Sequence, residues 1–232
     1  MLIAAVCLLG GGPSTSIDAY LVREFKDAKV TARVKMGNQK ELAKINSDFG
    51  LSYRFKYSNI QIKEPWKFRA ESEIEDSKLV VTQNGMKQKF DTPIYRGTQE
   101  LSTKPGRLRT MLEFGILTPS LFNDFFNAKF IRLDRATNDV VFDLTYVGWR
   151  KDNTRYRIWI DPEKRFVSKR EWYGQTGEFR ATFYYENPKQ INGVWAPTTS
   201  SVKNADGAMA GSLNYENLKI NVGVPDSVFR ID

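Results

Sequence analysis

The sequence predicts a mainly β fold of the α+β class, in which one large antiparallel sheet or barrel carries a few helices on one side. Segments of alternating apolar and polar residues recur about every 8–12 residues, as they do in antiparallel sheets. Turn-forming pairs separate these segments, and Asn84-Gly85 is a strong signal for a tight hairpin. The rhythm breaks between Gly106 and Asn127, where apolar residues recur at helical spacing instead.

The composition is that of an ordinary folded chain. Of its 232 residues, 41% are hydrophobic and 27% are charged. A chain of this length can bury a substantial core without disulfides or metals. No internal repeat or long linker divides it. We therefore predict a signal segment at residues 1–16 followed by a single domain at residues 17–232.

Residues 1–16 have the pattern of a secretory signal peptide. An apolar run from Leu2 to Leu9 precedes small and turn-forming residues, and it is shorter than the about 20 apolar residues that span a bilayer. The run has no basic segment before it, as expected if the true start lies upstream. Cys7 follows Val6 rather than a small residue, which disfavours a lipoprotein signal. We expect an exported protein of the periplasm or cell envelope.

The first elements of the domain follow from capping and periodicity. Ser16 can cap a short amphipathic helix over Ile17–Ala28. Alternation then predicts a strand over Val30–Met36, whereas Gly37–Ser47 is polar and receives no prediction. Four further alternating segments predict strands: LSYRFKY, WKFRAESEI, KLVVTQ and MKQKFD.

The segment Gly106–Asn127 predicts two short helices. Leu108, Met111 and Leu112 have helical spacing, and Pro119 can begin a second helix with its own apolar stripe. Strands resume afterwards and continue to the end of the chain: KFIRLDR, DVVFDLTYVGW, RYRIWID, FVSKREWY, EFRATFYYE, INGVWAPTTSSVK and GSLNYENLKIN.

The hairpin Arg155–Tyr173 carries large aromatic residues on both of its faces. Trp159 lies among arginines, and Trp172 falls on the face opposite Val167 and Tyr173. Successive strand residues point to opposite faces. We interpret one face as lining a space between sheet and helices, and the other as a solvent face where Arg and Lys stems cover aromatic rings.

The residue inventory argues against several kinds of catalysis. The chain has no histidine, and its one cysteine is Cys7, so imidazole bases, His-activated nucleophiles and Cys-based metal clusters are excluded from the domain. Glu71, Glu73 and Glu75 share one strand face, which would suit a carboxylate-based hydrolase or a cation site. A solvated strand face is the simpler interpretation. We predict no enzymatic activity, no cofactor and no metal.

The net charge of +8 favours partners with negative surfaces. No motif of a nucleic-acid-binding domain is present, so we expect no nucleic acid partner. Contact with anionic lipid headgroups is the better functional interpretation, and a mixed solvated surface is the simplest one. The basic residues considered are Arg23, Lys26, Lys29, Arg33, Lys35, Lys104, Arg107, Arg109, Arg150, Lys151, Arg155 and Arg157.

Several motifs together resemble a known family. They are IQIKEPWKFRAE, the hairpin VVTQNGMKQK, the strand pair RIWIDPEKRFVSKREWY and the closing INGVWAPT…LNYENLKINVGVPDSVFRID. Their order and spacing resemble the bacterial outer-membrane lipoprotein carrier and lipoprotein-sorting proteins (LolA/LolB-like) over Ile17–Asp232. The resemblance implies a strongly curved antiparallel sheet, an incomplete β-barrel, whose concave face is covered by a few helices above an apolar cavity.

The same resemblance implies a non-catalytic carrier that binds acyl chains of lipoproteins or lipids, with Gly106–Asn127 as a movable lid. Such a cavity needs apolar walls without a strong polar group, because a tightly held chain would be released slowly. We expect a monomer that touches an anionic membrane surface or a membrane receptor transiently. The candidate cavity residues, each of which could instead be ordinary core, are Trp66, Phe68, Met86, Met111, Leu112, Phe122, Phe126, Trp149, Trp159 and Phe183.

Two alternatives remain open from the sequence. The first is an envelope sensor or protein-interaction module on the same fold, whose cavity is filled by its own side chains. The second is the carboxylate-based hydrolase. The cargo, the cleavage site and the oligomeric state are not determined by these residues.

Overall fold

Strands dominate the structure, as the sequence predicts. The computed structural model describes residues 12–51 and 53–231, so most of the predicted signal segment, including Cys7, lies outside the described residues. Two short α-helices are described, α1 (Gln39–Ala43) and α2 (Ser47–Leu51). The described strands are β1 (Asp27–Gly37), β2 (Tyr57–Lys63), β3 (Lys67–Ile74), β4 (Ser77–Asn84), β5 (Lys87–Asp91), β6 (Arg96–Glu100), β7 (Phe126–Leu133), β8 (Val140–Tyr146), β9 (Arg155–Asp161), β10 (Phe166–Tyr173), β11 (Phe179–Glu186), β12 (Lys189–Ile191), β13 (Val194–Ala196), β14 (Thr199–Asn204) and β15 (Met209–Ile220).

Thirteen of these strands form one antiparallel sheet in the order β6-β5-β4-β3-β2-β1-β15-β14-β11-β10-β9-β8-β7, and β12 and β13 form a separate hairpin. The first and last strands, β1 and β15, pair at the middle of the sheet. They divide it into a first wing (β2–β6) and a second wing (β7–β11 and β14). The outermost strands, β6 and β7, do not pair with each other, so the sheet remains open.

The sheet curls until both wings contribute to one apolar core. Phe142 of β8 and Ile158 of β9 belong to one buried cluster. Two residues of the first wing pack against it: Trp66 at the β2–β3 turn and Met86 at the β4–β5 turn. Because these strands lie far apart in the sheet order, the concave face must wrap around that cluster. The strongly curved sheet inferred from the family resemblance is therefore confirmed.

Two short segments of the chain cover the concave face. Leu42 and Ile45, in and beside α1, are fully buried against Ala181 of β11 and Val202 of β14. The segment Gly106–Asn127, which we call the lid, covers the rest. Neither α1 nor α2 was predicted, because the apolar residues of this stretch are few and polar residues surround them.

The predicted helix over Ile17–Ala28 is wrong except for its first turn. A 3₁₀ helix spans Ile17–Tyr20, and the Ser16 side chain accepts a hydrogen bond from the Asp18 amide, as a cap should. The chain then extends, because Val22 donates a backbone hydrogen bond to Leu117 of the lid at 2.7 Å. Tertiary pairing with the lid outweighs the local helical pattern.

The two helices predicted in the lid are also wrong in type. A 3₁₀ helix at Pro105–Arg107 leads into the lid, and two more lie within it, Met111–Phe114 and Pro119–Phe122. The Met111–Phe114 helix ends at Gly115, whose φ of +71° lies in the left-handed region, so no α-helix can continue there. Pro119 does begin a helical turn, as predicted.

Two details of the first wing also differ from expectation. The segment LSYRFKY was predicted to be a strand, but α2 ends at Leu51 and β2 begins only at Tyr57. The edge strand β6 had no prediction. The Asn84-Gly85 turn is confirmed, with Gly85 at a φ of +61° between β4 and β5.

Candidate functional site

The concave face and the lid together form the candidate site. The lid directs a row of apolar side chains into the core that the curled sheet encloses. Leu112, Leu117, Leu121 and Phe125 are each at most 2% exposed. The lid therefore occupies the hollow with its own side chains rather than spanning it.

A buried glutamine fastens the lid to the first wing. The fully buried amide of Gln83, on β4, accepts a hydrogen bond from the Arg109 amide at 2.8 Å and donates to the Arg109 carbonyl at 3.0 Å. It also donates to the Trp66 carbonyl at 3.1 Å. Gln83 thus satisfies backbone groups of the lid that have no partner in a regular element.

The second wing holds the lid through the backbone near Gly115. The Val167 amide donates to the Gly115 carbonyl at 2.8 Å, and Ile116 forms an antiparallel bridge with Phe166. A Cβ atom at Gly115 would come within 3.1 Å of the Val167 carbonyl oxygen and 3.2 Å of the Tyr185 ring. Glycine is required here both by the close approach and by the positive φ.

The carboxyl group of Glu64 attaches the second half of the lid to the first wing. Ser120 donates a short hydrogen bond to Glu64, which follows β2. Burial raises the pKa of Glu64 above its ordinary value of 4.5, although hydrogen bonds from Ser120 and Thr118 oppose this. The folded state therefore favours the neutral form of Glu64, and ionisation of this carboxyl weakens its stabilising effect.

Little empty space remains between lid and sheet. An apolar cavity of about 20 Å³ lies where Met111, Phe114 and Ile116 of the lid meet β1, β2 and β15. Sites for small organic ligands usually measure about 300–1,000 Å³. In this conformation the hollow is closed, and an alkyl chain could enter only in place of lid side chains.

Eight of the ten candidate cavity residues lie in or against the buried clusters of the concave face. Leu112 and Phe126 belong to the central cluster, and Phe68 and Met111 to the neighbouring cluster beside the cavity. The remaining four are partly buried and pack against the central cluster: Trp66, Met86, Phe122 and Phe183.

The other two candidates, Trp149 and Trp159, lie outside the hollow. Trp149 is 53% exposed. The Trp159 indole N–H donates to Asp134 at 2.9 Å, and Lys169 Nζ lies 3.3 Å from its ring centroid. Trp159 thus lies on the outer face, where the ammonium group covers the ring as the sequence predicted for the solvent side of this hairpin.

The hollow contains a cation that sequence reasoning missed. Arg170, on β10, is 8% exposed, and its guanidinium carbon lies 4.3 Å from the centroid of Phe183 and 5.4 Å from that of Tyr156. The expectation of walls without a strong polar group is therefore wrong. Alternation alone did not place Arg170, because a β-bulge between Val167 and Lys169 brings Val167 and Arg170 to the same concave face.

A basic groove of about 430 Å³ lies on the outer face of the first wing. Beside it, the β5–β6 turn exposes Ile94 almost completely, at 98%, and Tyr95 at 60%. Apolar side chains next to cations suit contact with an anionic lipid surface. The charged residues that line the groove are Arg69, Lys78, Lys89, Asp91, Arg96 and Arg230.

The three glutamates that suggested a hydrolase do not form a matched carboxylate pair. Glu71 binds Arg69 at 2.8 Å and Lys78 at 3.1 Å, and the hydrogen bond from Arg69 is the main reason that the pKa of Glu71 is lowered. Glu73 is exposed, and Glu75 lies in the turn after β3 with a positive φ. Within residues 12–51 and 53–231, no group of three or more acidic side chains is placed to hold a metal ion.

Comparisons with known proteins agree on the fold. A profile for a family described as "Uncharacterized protein" matches residues 127–232. No curated protein matches the chain. A LolA superfamily protein from Nitrosomonas europaea is 15% identical, with 94% of this chain and 95% of that chain aligned and a TM-score of 0.60.

Two further solved structures are similar over nearly their whole length. An outer membrane lipoprotein-sorting protein domain from Vibrio parahaemolyticus is 13% identical, covering 92% of this chain and 93% of that one, with a TM-score of 0.59. A DUF1329 family protein from Desulfovibrio piger is 10% identical, covering 92% of both chains, with a TM-score of 0.57. These structures establish the LolA-like fold that the sequence motifs suggested. In the described residues, no helix is long and apolar enough to cross a membrane.

Proposed function

We propose that this protein is a non-catalytic carrier of the cell envelope that binds the acyl chains of lipoproteins or lipids between the curved sheet and the lid. The observation that carries the proposal is the row of apolar lid side chains buried on the concave face. The shared fold with a lipoprotein-sorting domain supports it. The signal-like segment at residues 1–16 supports an envelope location.

Entry of an acyl chain requires the lid to move, since the cavity of about 20 Å³ has no room for one. An acyl chain gains about 0.8 kcal/mol for each CH₂ removed from water. When the chain replaces Leu112, Leu117 and Leu121 against the sheet, apolar contacts are exchanged rather than lost. Short 3₁₀ helices joined at Gly115 let the lid swing without unfolding a long helix.

The basic groove and the exposed β5–β6 turn give the carrier a way to reach its cargo. Five cations line the groove, and two carboxylates, Asp91 in the groove and Glu71 beside it, form ion pairs with three of them. Ile94 can enter the headgroup region of a bilayer while the cations contact anionic lipids. We propose transient docking of this kind by a monomer, with no nucleic acid partner.

The experiment locks the lid and measures ligand binding. Ile116 and Phe166 form an antiparallel bridge, whose Cα separation of about 4.5–5.5 Å suits a disulfide. In a Cys7→Ser background, Ile116→Cys with Phe166→Cys is tested with a fluorescent fatty acid, oxidised and reduced. We expect binding by the wild type and the reduced variant, and none by the oxidised variant.

The filled hollow favours one other function, a sensor or protein-interaction module on the same fold. It predicts that neither a fluorescent fatty acid nor native lipid, sought by mass spectrometry, binds the wild type. A specific envelope protein would then be captured equally well with the lid locked or free. Lipid binding that is blocked by the disulfide excludes this alternative.

A further inference from the structure

We infer that the hollow contains an internal site for an anionic headgroup, formed by Arg170 and Trp172 on the concave face of β10. The cargo would then be an amphiphile whose alkyl chain ends in a carboxylate or a phosphate. This inference rests on the proposed carrier function and names the class of ligand that it serves.

Arg170 is a buried cation without a counter-ion in contact. Its Nε atom is buried and has no hydrogen-bond partner among the described residues, and the ion pairs found there do not include Arg170. Glu113 of the lid attracts it from a distance, but the Glu113 carboxylate already binds Arg109 at 3.1 Å. The closed hollow therefore holds a guanidinium with no carboxylate in contact among the described residues.

Trp172 supplies a second unused donor on the same strand face. Its indole N–H is also buried without a partner in the described part of the chain. Trp172 lies two positions after Arg170, about 7 Å along β10. The Arg170 guanidinium lies over the Phe183 ring, and Trp172 and Phe183 both pack against Phe49. The two donors thus lie in one region of the hollow.

The energetics favour an oxyanion as the missing partner. Removing an ionised side chain from water costs more free energy than a desolvated cation–π contact returns. The guanidinium and the indole are donors only, so they require acceptors. A carboxylate or phosphate offers several acceptor lone pairs and one negative charge or more, and it binds a guanidinium in bidentate geometry.

The surroundings of Arg170 also fix where an alkyl chain would lie. Tyr185 places its ring 6.0 Å from the Arg170 guanidinium and donates its hydroxyl to the Leu112 carbonyl of the lid at 3.2 Å. The cation is therefore located beneath the lid, at the border between the central cluster and the cluster beneath α1 and α2. A headgroup bound here leaves its chain along the apolar surface that Leu112 now covers.

The test compares ligands that share one chain and differ in headgroup. Palmitate, hexadecyl phosphate, methyl palmitate and inorganic phosphate are titrated into the full-length protein by calorimetry. We expect palmitate or hexadecyl phosphate to bind at least about tenfold more tightly than the ester, as hydrogen bonds to a charged group predict. The tighter of the two identifies the headgroup.

Variants then assign the discrimination to the two donors. Arg170→Met is expected to abolish the preference for the anionic ligand over the ester, and Arg170→Lys is expected to restore part of that preference. Trp172→Phe keeps the ring and removes the donor, so a smaller loss is expected. The wild-type comparison needs no variant and stands even where one fails to fold.

Equal affinity of the wild type for palmitate, hexadecyl phosphate and the ester would overturn the headgroup site and leave the carrier function intact. The site would also be overturned if inorganic phosphate bound and none of the alkyl ligands did, because the anion site would then be independent of the hollow. Absence of binding by all alkyl ligands would remove the proposed carrier function itself.

Discussion

The rings of Trp66 and Phe125 lie with their centroids 4.8 Å apart. Trp66 belongs to the β2–β3 turn and Phe125 immediately precedes β7, eight strand positions away in the sheet order. In a flat sheet, eight spacings of about 4.8 Å would separate those strands by roughly 38 Å. The contact therefore joins the two wings across the open side of the sheet and measures how far the sheet has curled.

Because it joins the wings, Phe125 should contribute strongly to stability. Phe125→Ala removes a ring that is 1% exposed and packs against Trp66, Phe126 and Tyr146. We expect the free energy of unfolding, measured with urea, to fall by about 3–5 kcal/mol. Ile94→Ala, at a fully exposed position, serves as the control and should stay within about 0.5 kcal/mol of wild type. Similar values for both variants would show that this contact does not hold the wings together.

Lid docking should require glycine at position 115 for two reasons: its positive φ and the close approach of neighbouring atoms. Gly115 and Gly177 both have positive φ, but only at Gly115 would a Cβ meet other atoms within 4 Å. Alanine costs about 1–2 kcal/mol at either position because of φ, and overpacking adds roughly 1–3 kcal/mol at Gly115. Urea unfolding of Gly115→Ala and Gly177→Ala separates the two effects. Equal destabilisation would mean that the lid does not need its close approach to Val167 and Tyr185.

We expect the contact between Glu64 and the lid to stabilise the folded protein more at low pH than at high pH. The folded pKa of this carboxyl lies above its ordinary 4.5, so the folded state binds the proton more tightly than the unfolded state. Its stabilisation is complete below about pH 4.5 and is lost as the pH rises through the raised folded pKa. Glu64→Gln keeps the shape and removes the titration.

Urea unfolding of wild type and Glu64→Gln at several pH values checks this sign. We expect the wild type to lose stability relative to the variant between pH 4.5 and the raised folded pKa, and to stay level above it. A stability difference that does not change with pH would contradict the account of the Glu64–Ser120 contact, whatever the other carboxyl groups do, since both proteins share them.

The basic groove should determine binding to anionic vesicles. Lys78→Gln with Arg230→Gln removes two of its cations, each contributing about 1 kcal/mol near an anionic surface, so we expect vesicle affinity to fall about 30-fold. Lys189→Gln with Lys219→Gln, at exposed sites on β12 and β15, removes the same number of charges elsewhere and is the control. Co-sedimentation with anionic and neutral vesicles measures the effect. Equal losses for groove and control variants would indicate net charge alone.

Sequence reasoning succeeded where local pattern and tertiary structure agree. The strands of the hairpin Arg155–Tyr173 follow their alternation, and Gly85 supplies the turn that Asn84-Gly85 requires. The sheet and the position of the lid could be predicted for this reason. The helix over Ile17–Ala28 failed because Val22 pairs with the lid, a contact 95 residues away that no local window contains.

The candidate site was predicted less well than the fold. Aromatic residues were predicted to line the cavity without regard to the face of the strand on which they lie. Trp159 was therefore included, although its contacts with Lys169 and Asp134 lie on the outer face. Arg170 could not be placed in the same way, because the β-bulge after Val167 shifts the alternation of β10. The filling of the hollow by the lid depends on packing between distant segments, and sequence alone does not encode it in any readable pattern.

The pairing of β1 with β15 has a consequence for how the molecule assembles. Each wing is a meander of strands that follow one another closely along the chain, whereas Ala28 opposite Ile220 closes a loop of nearly the whole polypeptide. Contacts of such long range form slowly. We therefore expect the two wings to form first and the β1–β15 pairing that joins them to form last.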